Sequence, residues 1–163
     1  MPIYIKYGDI LGDVTAEGHK GTDGWVEVGS FQFGIGRGIA SATGGSEDRE
    51  SSAPSVSEVV ITKEMDTSSY RWMEESLWGE GQAVQIDLCK TDKGMLEVYC
   101  TYKLTDAMIS GYSVSSGGDK PSESISISFT KIQYEYFPMG SKNQKGTPQR
   151  TGWDIAAAKV AAA

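Results

Sequence analysis

Residues 83–104, AVQIDLCKTDKGMLEVYCTYKL, decide the fold class of this chain. Apolar side chains stand at the even positions from 84 to 88 and from 96 to 104, and most of the odd positions between them are polar. Alternation with a period of two is typical of strands that bury one face. Two such runs joined by a short segment with a glycine predict a β-hairpin.

The loop of this hairpin sets which residues face each other. We expect a three-residue loop at residues 92–94, with the glycine in the left-handed conformation. In that register Ile86 would face Cys100 and Leu88 would face Val98. Cys89 would then lie on the opposite face from Cys100, which excludes a disulfide between them.

The same pattern predicts a mostly β chain. Further strands are expected at residues 3–7, 25–36, 56–65, 107–116 and 122–137. In two of them the apolar side chains change from one parity to the other, at Gly29-Ser30 and at Thr130-Lys131. A bulge or a bend at each of these points would explain the change.

One short helix is expected between the strands. Residues 66–69, Asp-Thr-Ser-Ser, offer several side chains that can cap a helix start. Tyr70, Met73 and Leu77 follow at helical spacing, and Gly79 provides a stop. The pattern predicts about three turns.

Size and composition favour one globular domain over residues 1–163. The chain has 163 residues, of which 39% are hydrophobic and 23% charged, a balance typical of folded domains. Residues 37–55 contain almost no large apolar side chain and are expected to form an extended surface loop. Residues 156–163 form a tail of simple composition.

Charge and sequence pattern exclude several classes of partner. The net charge of −7 argues against nucleic acid as a partner. No apolar run approaches the roughly 18 residues of a membrane-spanning helix, so no membrane insertion is expected. The amino terminus lacks the basic and apolar regions of a signal peptide.

We expect neither an enzyme nor a cofactor or metal site. Two cysteines and one histidine leave almost no ligands for a metal. The histidine, His19, stands among Gly18, Lys20 and Gly21, which predicts a solvated loop rather than a general base. The glycines at residues 34–38 lack the lysine and the following helix of a phosphate loop.

Several stretches together resemble the haemolysin-coregulated protein (Hcp) family, the inner-tube subunit of bacterial type VI secretion. Their order and spacing over nearly the whole chain carry the resemblance. The stretches are IYIKYGDILG (3–12), WVEVGSFQFG (25–34), ITKEMD (61–66), SSGGDKPSES (115–124), the strand 129–136 and GWDI (152–155).

The resemblance implies a small β-barrel of antiparallel strands with one short flanking α-helix, similar to phage tail-tube proteins. It implies homohexameric rings that stack into a tube, with a spike protein, a contractile sheath and effector proteins as partners. The tube would carry effectors in its lumen. The protein would be cytoplasmic before firing and then secreted by the type VI machine without a signal peptide.

Two groups of polar residues are candidates for roles in such a tube. Unlike surfaces must meet when identical subunits close a ring, and weak polar contacts between rings would let tubes assemble and come apart. For the ring-stacking contacts we select charged residues of the 37–55 loop: Arg37, Glu47, Asp48, Arg49 and Glu50. For the lumen we select polar positions opposite the apolar faces: Ser30, Gln32, Gln85 and Asp87.

A second reading is a monomeric β-module that binds carbohydrate or another small ligand. The chain has four tryptophans and eight tyrosines, and flat aromatic rings can stack on sugars. A hydrolytic effector is disfavoured, because His19 is the only histidine and no Ser-His-Asp set can be assembled. The serines at 122, 124, 126 and 128 share one strand face, which would suit close packing or a smooth wetted wall.

Overall fold

The computed structural model describes residues 1–40, 52–139 and 145–161. Within them the chain forms one α-helix and twelve β-strands, with a 3-10 turn at Gly21–Asp23. The strands are β1 (Ile3–Tyr7), β2 (Trp25–Val28), β3 (Ser30–Gln32), β4 (Ile35–Gly36), β5 (Ser55–Val56), β6 (Val59–Glu64), β7 (Gln82–Asp92), β8 (Met95–Ser115), β9 (Ser122–Ser128), β10 (Lys131–Tyr136), β11 (Gln149–Asp154) and β12 (Lys159–Val160). The helix α1 spans Ser69–Trp78.

All paired strands are antiparallel, and the long strand β8 organises them. Its first half pairs with β7 and β10, and its second half pairs with β9. One arm runs β12-β11-β10-β8-β7-β1-β2, and the other runs from β8 through β9 and β6 to β3. The mostly β fold with one short helix is confirmed. The sheet branches at β8, however, and does not close into the expected barrel.

The β7–β8 hairpin exists, but its expected register is wrong. Lys93 and Gly94 both have positive φ, 51° and 77°, which is the two-residue turn whose twist suits a hairpin. The strands therefore continue to an Asp92–Met95 pair. A bulge between Leu88 and Cys89 shifts the pairing once more, so that Leu88 faces Cys100. Both cysteines are free thiols.

The two expected bends are confirmed. Gly29 separates β2 from β3, and its N–H donates to the Thr62 carbonyl at 2.6 Å. Phe129-Thr130 separates β9 from β10, and the Thr130 N–H donates to the Thr105 carbonyl at 3.1 Å. At each point the chain passes from one arm of the sheet to the other, which is why the apolar parity changes there.

The core lies between the two arms. Trp72 of α1 and Ala107 of β8 are fully buried members of it, and most of the others come from β1, β2, β6, β7 and β9. They include Ile5, Val26, Val59, Ile61, Ile86, Ile125 and Ile127. A second, smaller cluster of Tyr4, Trp25 and Cys89 lies on the other face of β1, β2 and β7.

The helix forms where expected but buries a different face. Trp72 is fully buried and packs edge-on against Tyr7, with ring centroids 5.2 Å apart. Tyr70, Met73 and Leu77, whose spacing predicted the helix, lie on the opposite side and are 64%, 54% and 64% exposed. The buried Trp72 side chain therefore determines which face of the helix packs on the sheet. The spacing of the smaller apolar side chains does not determine it.

Candidate functional site

A polar face crosses the arm β3-β6-β9-β8, and it is built from small side chains. Cross-strand pairs place Ser30 beside Thr62, Thr62 beside Ser124, and Ser124 beside Ser113. Neighbouring positions on these strands contribute further members: Gln32, Ser122, Ser126 and Ser115. We call this set the hydroxyl face.

Alternation explains why the hydroxyl face is exposed. On β6 and β9 the residues that alternate with its members point inward, as with Ile61, Ile125 and Ile127, all fully buried. Ser30 and Gln32 are exposed, and Ser30 Oγ shares a hydrogen bond of 2.5 Å with Thr62 Oγ1. The serines of β9 on this face are half-buried or exposed. The sequence alone suggested a serine-lined strand, and the structure joins it to Ser30 and Gln32.

Gln85 and Asp87 do not belong to this face. They lie on β7, which pairs with β1 and β8, whereas β3 pairs with β6. The expectation that Asp87 is an exposed polar residue is wrong, since it is only 3% exposed. Its Oδ1 accepts hydrogen bonds from Thr101 Oγ1 at 2.9 Å and Gln85 Nε2 at 3.0 Å.

His19 is the reason that Asp87 is buried. Its Nε2 lies 2.8 Å from Asp87 Oδ2, and its ring stacks on Tyr4 and meets Trp25 edge-on. The expectation of a solvated loop around His19 is also wrong, because the connection from β1 to β2 folds back over the polar face of β1 and β7. Hydrogen bonds between Gly12, Val14 and Gly21 hold this connection in place.

The His19–Asp87 pair is structural in its geometry. The other oxygen of Asp87, Oδ1, accepts from Thr101 and Gln85, and the buried His19 Nδ1 has no hydrogen-bond partner among the residues that the structure describes. A catalytic histidine needs its second nitrogen to reach a nucleophile or a substrate proton. Across the described residues, no group of three or more His, Cys, Asp or Glu side chains could hold a metal ion.

Both thiols are held in the neutral form. Burial, together with the nearby Asp87 carboxylate, raises the pKa of Cys89 to about 12. Burial likewise raises the pKa of Cys100 to about 11. Neither cysteine has the exposed, electropositive surroundings of a reactive thiol.

The 37–55 loop starts and ends at a short two-stranded ladder. Ile35 pairs with Val56 and Gly36 pairs with Ser55, so the two ends of the loop leave the domain side by side. Arg37 is exposed next to this ladder, and Ser52 Oγ accepts a hydrogen bond of 3.2 Å from the Gly38 N–H. The other stacking candidates, Glu47, Asp48, Arg49 and Glu50, lie outside the described residues.

Comparison with protein families decides the identity of this fold. The sequence profile of the family described as "Type VI secretion system effector, Hcp" matches residues 4–136. The chain belongs to the Hcp family. No curated protein matches the chain.

Solved structures of Hcp proteins have the same fold. A structure described as a type six secretion system protein superposes with a TM-score of 0.87 at 25% identity, covering 98% of this chain and 99% of that one. Hcp1 from Salmonella typhimurium superposes with a TM-score of 0.74 at 20% identity, covering 98% of each chain. Secreted Hcp3 from Pseudomonas aeruginosa does so at 0.65 and 20%, covering 94% and 99%.

Membership in the Hcp family makes this chain a structural tube protein of type VI secretion. Its surface includes the hydroxyl face, the exposed side of α1 and the β4–β5 ladder. Within the described ranges, no helix is both long and apolar enough to cross a membrane.

Proposed function

We propose that this protein forms hexameric rings that stack into the inner tube of a contractile type VI secretion machine. A spike protein, a contractile sheath and effector proteins are its partners in that machine. The hydroxyl face lines the lumen and contacts effectors. Secretion occurs with the tube, after assembly in the cytoplasm.

The hydroxyl face is the observation that carries this proposal. A solvent-facing sheet surface normally carries lysine, glutamate or threonine, which keep neighbouring chains away. Serine hydroxyls are short, uncharged and able to donate and accept hydrogen bonds. Such groups are wetted and short, and they carry no charge that would hold a passing protein. Those are the properties of a conduit for cargo of varied sequence.

Ring closure would also remove the free strand edges. β2 and β3 have one paired neighbour each, and β12 is a two-residue strand at the end of its arm. Unpaired edges invite uncontrolled pairing with other chains, and addition of strands across subunits satisfies them. Identical subunits can each use one surface to bind a different surface of the next subunit. Such contacts close into a ring when the rotation between neighbouring subunits allows it.

Negative-stain electron microscopy of the purified protein tests the proposal. Six copies of a chain with charge −7 carry −42 formal charges, so moderate ionic strength should favour assembly by screening their repulsion. We expect uniform rings with an open centre, or short stacks of rings. Compact featureless particles at every concentration would contradict the proposal.

A monomeric binding module is the second candidate, because one cavity has the lining for it. This cavity of about 370 Å³ is mostly apolar and contains the aromatic side chains of Tyr102, Tyr134 and Trp153. Aromatic rings with a few polar groups are typical of small-ligand sites. Saccharide-dependent change in tryptophan fluorescence, together with compact particles in the microscope, would support this candidate over the tube.

A further inference from the structure

The exposed side of α1 carries an apolar ridge. Tyr70, Met73 and Leu77 follow each other along one face of the helix, and Trp78 extends the ridge at its end. These four side chains are between 54% and 68% exposed. An isolated exposed apolar residue needs no explanation, but four large ones in a row do. We call them the helix ridge.

A second apolar surface lies in another part of the molecule and is concave. The cavity of about 370 Å³ is bounded by strands β4, β5, β8, β10, β11 and β12 and by Phe33, which lies between β3 and β4. At its rim Ile35 and Val160 are 64% and 73% exposed. Phe33, Val56 and Trp153 lie deeper in the lining and are partly buried. We call this the apolar cavity.

The two surfaces have no residue in common, and they differ in shape. A convex ridge and a concave cavity on one chain can each be covered by the other surface of a second copy. Such a contact is heterologous, and repetition of it gives a ring or a filament rather than a closed dimer. The exposed apolar area of these side chains is on the order of several hundred Å². That is a substantial part of the ~800 Å² that each partner buries in a stable interface.

Charge favours the same pairing. Around the helix ridge, Glu74, Glu75 and Glu80 outnumber the one cation of the helix, Arg71. Arg71 is engaged by Glu74 at 2.8 Å and by Asp9 at 3.0 Å, which leaves the ridge surrounded by net negative charge.

The apolar cavity is bordered by cations. Arg37 follows the rim strand β4, Lys159 precedes the rim residue Val160, and Arg150 precedes Thr151 of the lining, and all three are exposed. Arg150 also contacts Glu135. Opposite charges on two surfaces favour their association with each other. They disfavour contact of ridge with ridge or of cavity with cavity, where like charges would meet.

We propose that the helix ridge of one copy docks into the apolar cavity of the next, and that this contact joins the subunits of a ring. The inference deepens the proposed function, since it names the two surfaces that meet. The cavity has room for one or two bulky side chains, and Leu77 and Trp78 are the ridge members that enter it. The occupant is a second copy of this chain, because the chain itself supplies both halves of the contact.

Cysteine cross-linking tests which surfaces meet. The variant L77C/V160C places one thiol on the ridge and one on the cavity rim, while the native cysteines are buried and cannot compete. Under mild oxidation of the assembled protein, we expect a ladder of covalent species from dimer to hexamer on non-reducing gels. Each single variant, L77C or V160C, should give no ladder, because a thiol would face no partner thiol.

The alternatives give different gels. A strong dimer from L77C alone would show that ridge meets ridge, and it would overturn the proposal. Absence of a ladder from L77C/V160C, in a sample whose rings are visible by electron microscopy, would also overturn it while leaving the tube function intact. Wild-type protein without rings under any condition would instead contradict the tube function itself.

Charge substitution gives an independent measurement. W78E should lower the fraction of protein in rings at least tenfold at a fixed concentration, since it places a carboxylate against apolar side chains. M95E is the matched control, because Met95 is 70% exposed on the β7–β8 turn and outside the ridge. Unchanged far-ultraviolet circular dichroism and an unchanged urea midpoint would show that both variants are folded. Normal rings from W78E would overturn the proposal.

Discussion

At the scale of single residues, the most consequential side chain is Asp87. Sequence alternation places it on a polar strand face, and that placement is correct as far as the strand is concerned. The missing information is what covers the face. His19, in the β1–β2 connection, covers this face although it lies 68 positions from Asp87 in the sequence. No local sequence pattern predicts such a contact.

Replacing Asp87 should destabilise the fold. In D87A, His19 Nε2, Thr101 Oγ1 and Gln85 Nε2 all lose their acceptor in a buried site. A buried donor left without its acceptor costs about 1–3 kcal/mol, and three donors lose their acceptor here. We therefore expect a loss of about 2–4 kcal/mol in the free energy of unfolding, measured with urea.

E17A is the control for this substitution. The Glu17 side chain is 94% exposed and meets Lys20 only at 3.9 Å, so its removal should change stability by less than about 0.5 kcal/mol. Equal stability of D87A and E17A would mean that the His19–Asp87 contact contributes nothing to the fold.

The thiols provide a prediction about pH. The pKa values of Cys89 and Cys100 are raised from 9.0 to about 12 and about 11. The folded state therefore keeps protons that the unfolded state releases above about pH 9. The contribution of the two protonated thiols to the free energy of unfolding is fully present below about pH 9. It is lost as the pH rises toward 11.

Two measurements check this. At pH 8 the folded protein should react with a thiol reagent at a small fraction of the rate seen in guanidinium chloride, since burial blocks both thiols. The urea midpoint should fall between pH 9 and pH 10.5, and less so in C89A/C100A. Rapid labelling of both thiols at pH 8 without denaturant would contradict the burial described here.

At the scale of elements, the helix is fixed by a buried polar network. Lys63 Nζ donates to Glu123 Oε1 at 2.5 Å and to Asp66 Oδ1 at 3.0 Å, and the side chains of Lys63 and Glu123 are fully buried. Ser69, the first residue of α1, donates to the same Glu123 oxygen at 2.9 Å. The Tyr112 hydroxyl donates to the other oxygen. The network thus ties the start of the helix to β6, β8 and β9.

Breaking this network should loosen the helix. E123Q keeps the shape of the side chain but removes the charge that faces Lys63, so we expect a loss of about 3 kcal/mol in the free energy of unfolding. Amide hydrogen exchange in residues 69–78 should also increase. E64Q, at an exposed position on the same strand as Lys63, is the matched control and should leave both quantities unchanged.

A double variant separates charge pairing from packing. K63M/E123L removes both charges and retains apolar volume, and replacement of a buried pair in this way is often neutral or stabilising. Recovery of stability in the double variant, relative to E123Q, would attribute the loss to the missing Glu123 charge opposite the buried Lys63. No recovery would attribute it to the hydrogen bonds of Ser69 and Tyr112.

The elements also show what sequence reasoning reaches and where it ends. Alternation located the strands, the two bends at Gly29 and Thr130, and the hairpin. It missed the register for two reasons. The turn has two residues rather than three, and a bulge at Leu88/Cys89 moves the pairing by one more residue while it leaves the apolar pattern unchanged. It assigned the wrong buried face to the helix, because one tryptophan outweighs three smaller apolar side chains when a helix packs on a sheet.

At the scale of the whole molecule, the candidate site depends on strand order. Serine alternation in residues 122–128 was visible, as were Ser30 and Gln32. Only the order β3-β6-β9-β8 brings them into one face, and strand order follows from long-range packing rather than from local sequence. Gln85 is not part of this face, because its strand β7 lies in the other arm of the sheet.

A bulky side chain on the hydroxyl face should affect cargo and leave assembly intact. Gln32 is exposed at the end of β3, so Q32W can be accommodated without disturbing the core. We expect normal rings by electron microscopy and at least threefold weaker retention of effector in co-purification. Q85W is the comparison: its position is half-buried beside Asp87, so it should affect folding rather than cargo.

The long loop gives the last prediction. Replacing residues 40–52 with a short glycine-serine linker removes Glu47, Asp48, Arg49 and Glu50 but retains Arg37. The Ile35–Val56 pair holds the two ends of the loop side by side, so a short linker can join them without strain on the ladder.

If the loop contacts the next ring, the trimmed protein should form rings as readily as the wild type. The mean length of tubes in the microscope should fall severalfold. Such contacts would be polar and individually worth less than about 1 kcal/mol, and salt screens them, so the difference in tube length should shrink as the ionic strength rises. A trimmed protein that forms tubes of wild-type length would move the stacking contacts to another part of the subunit.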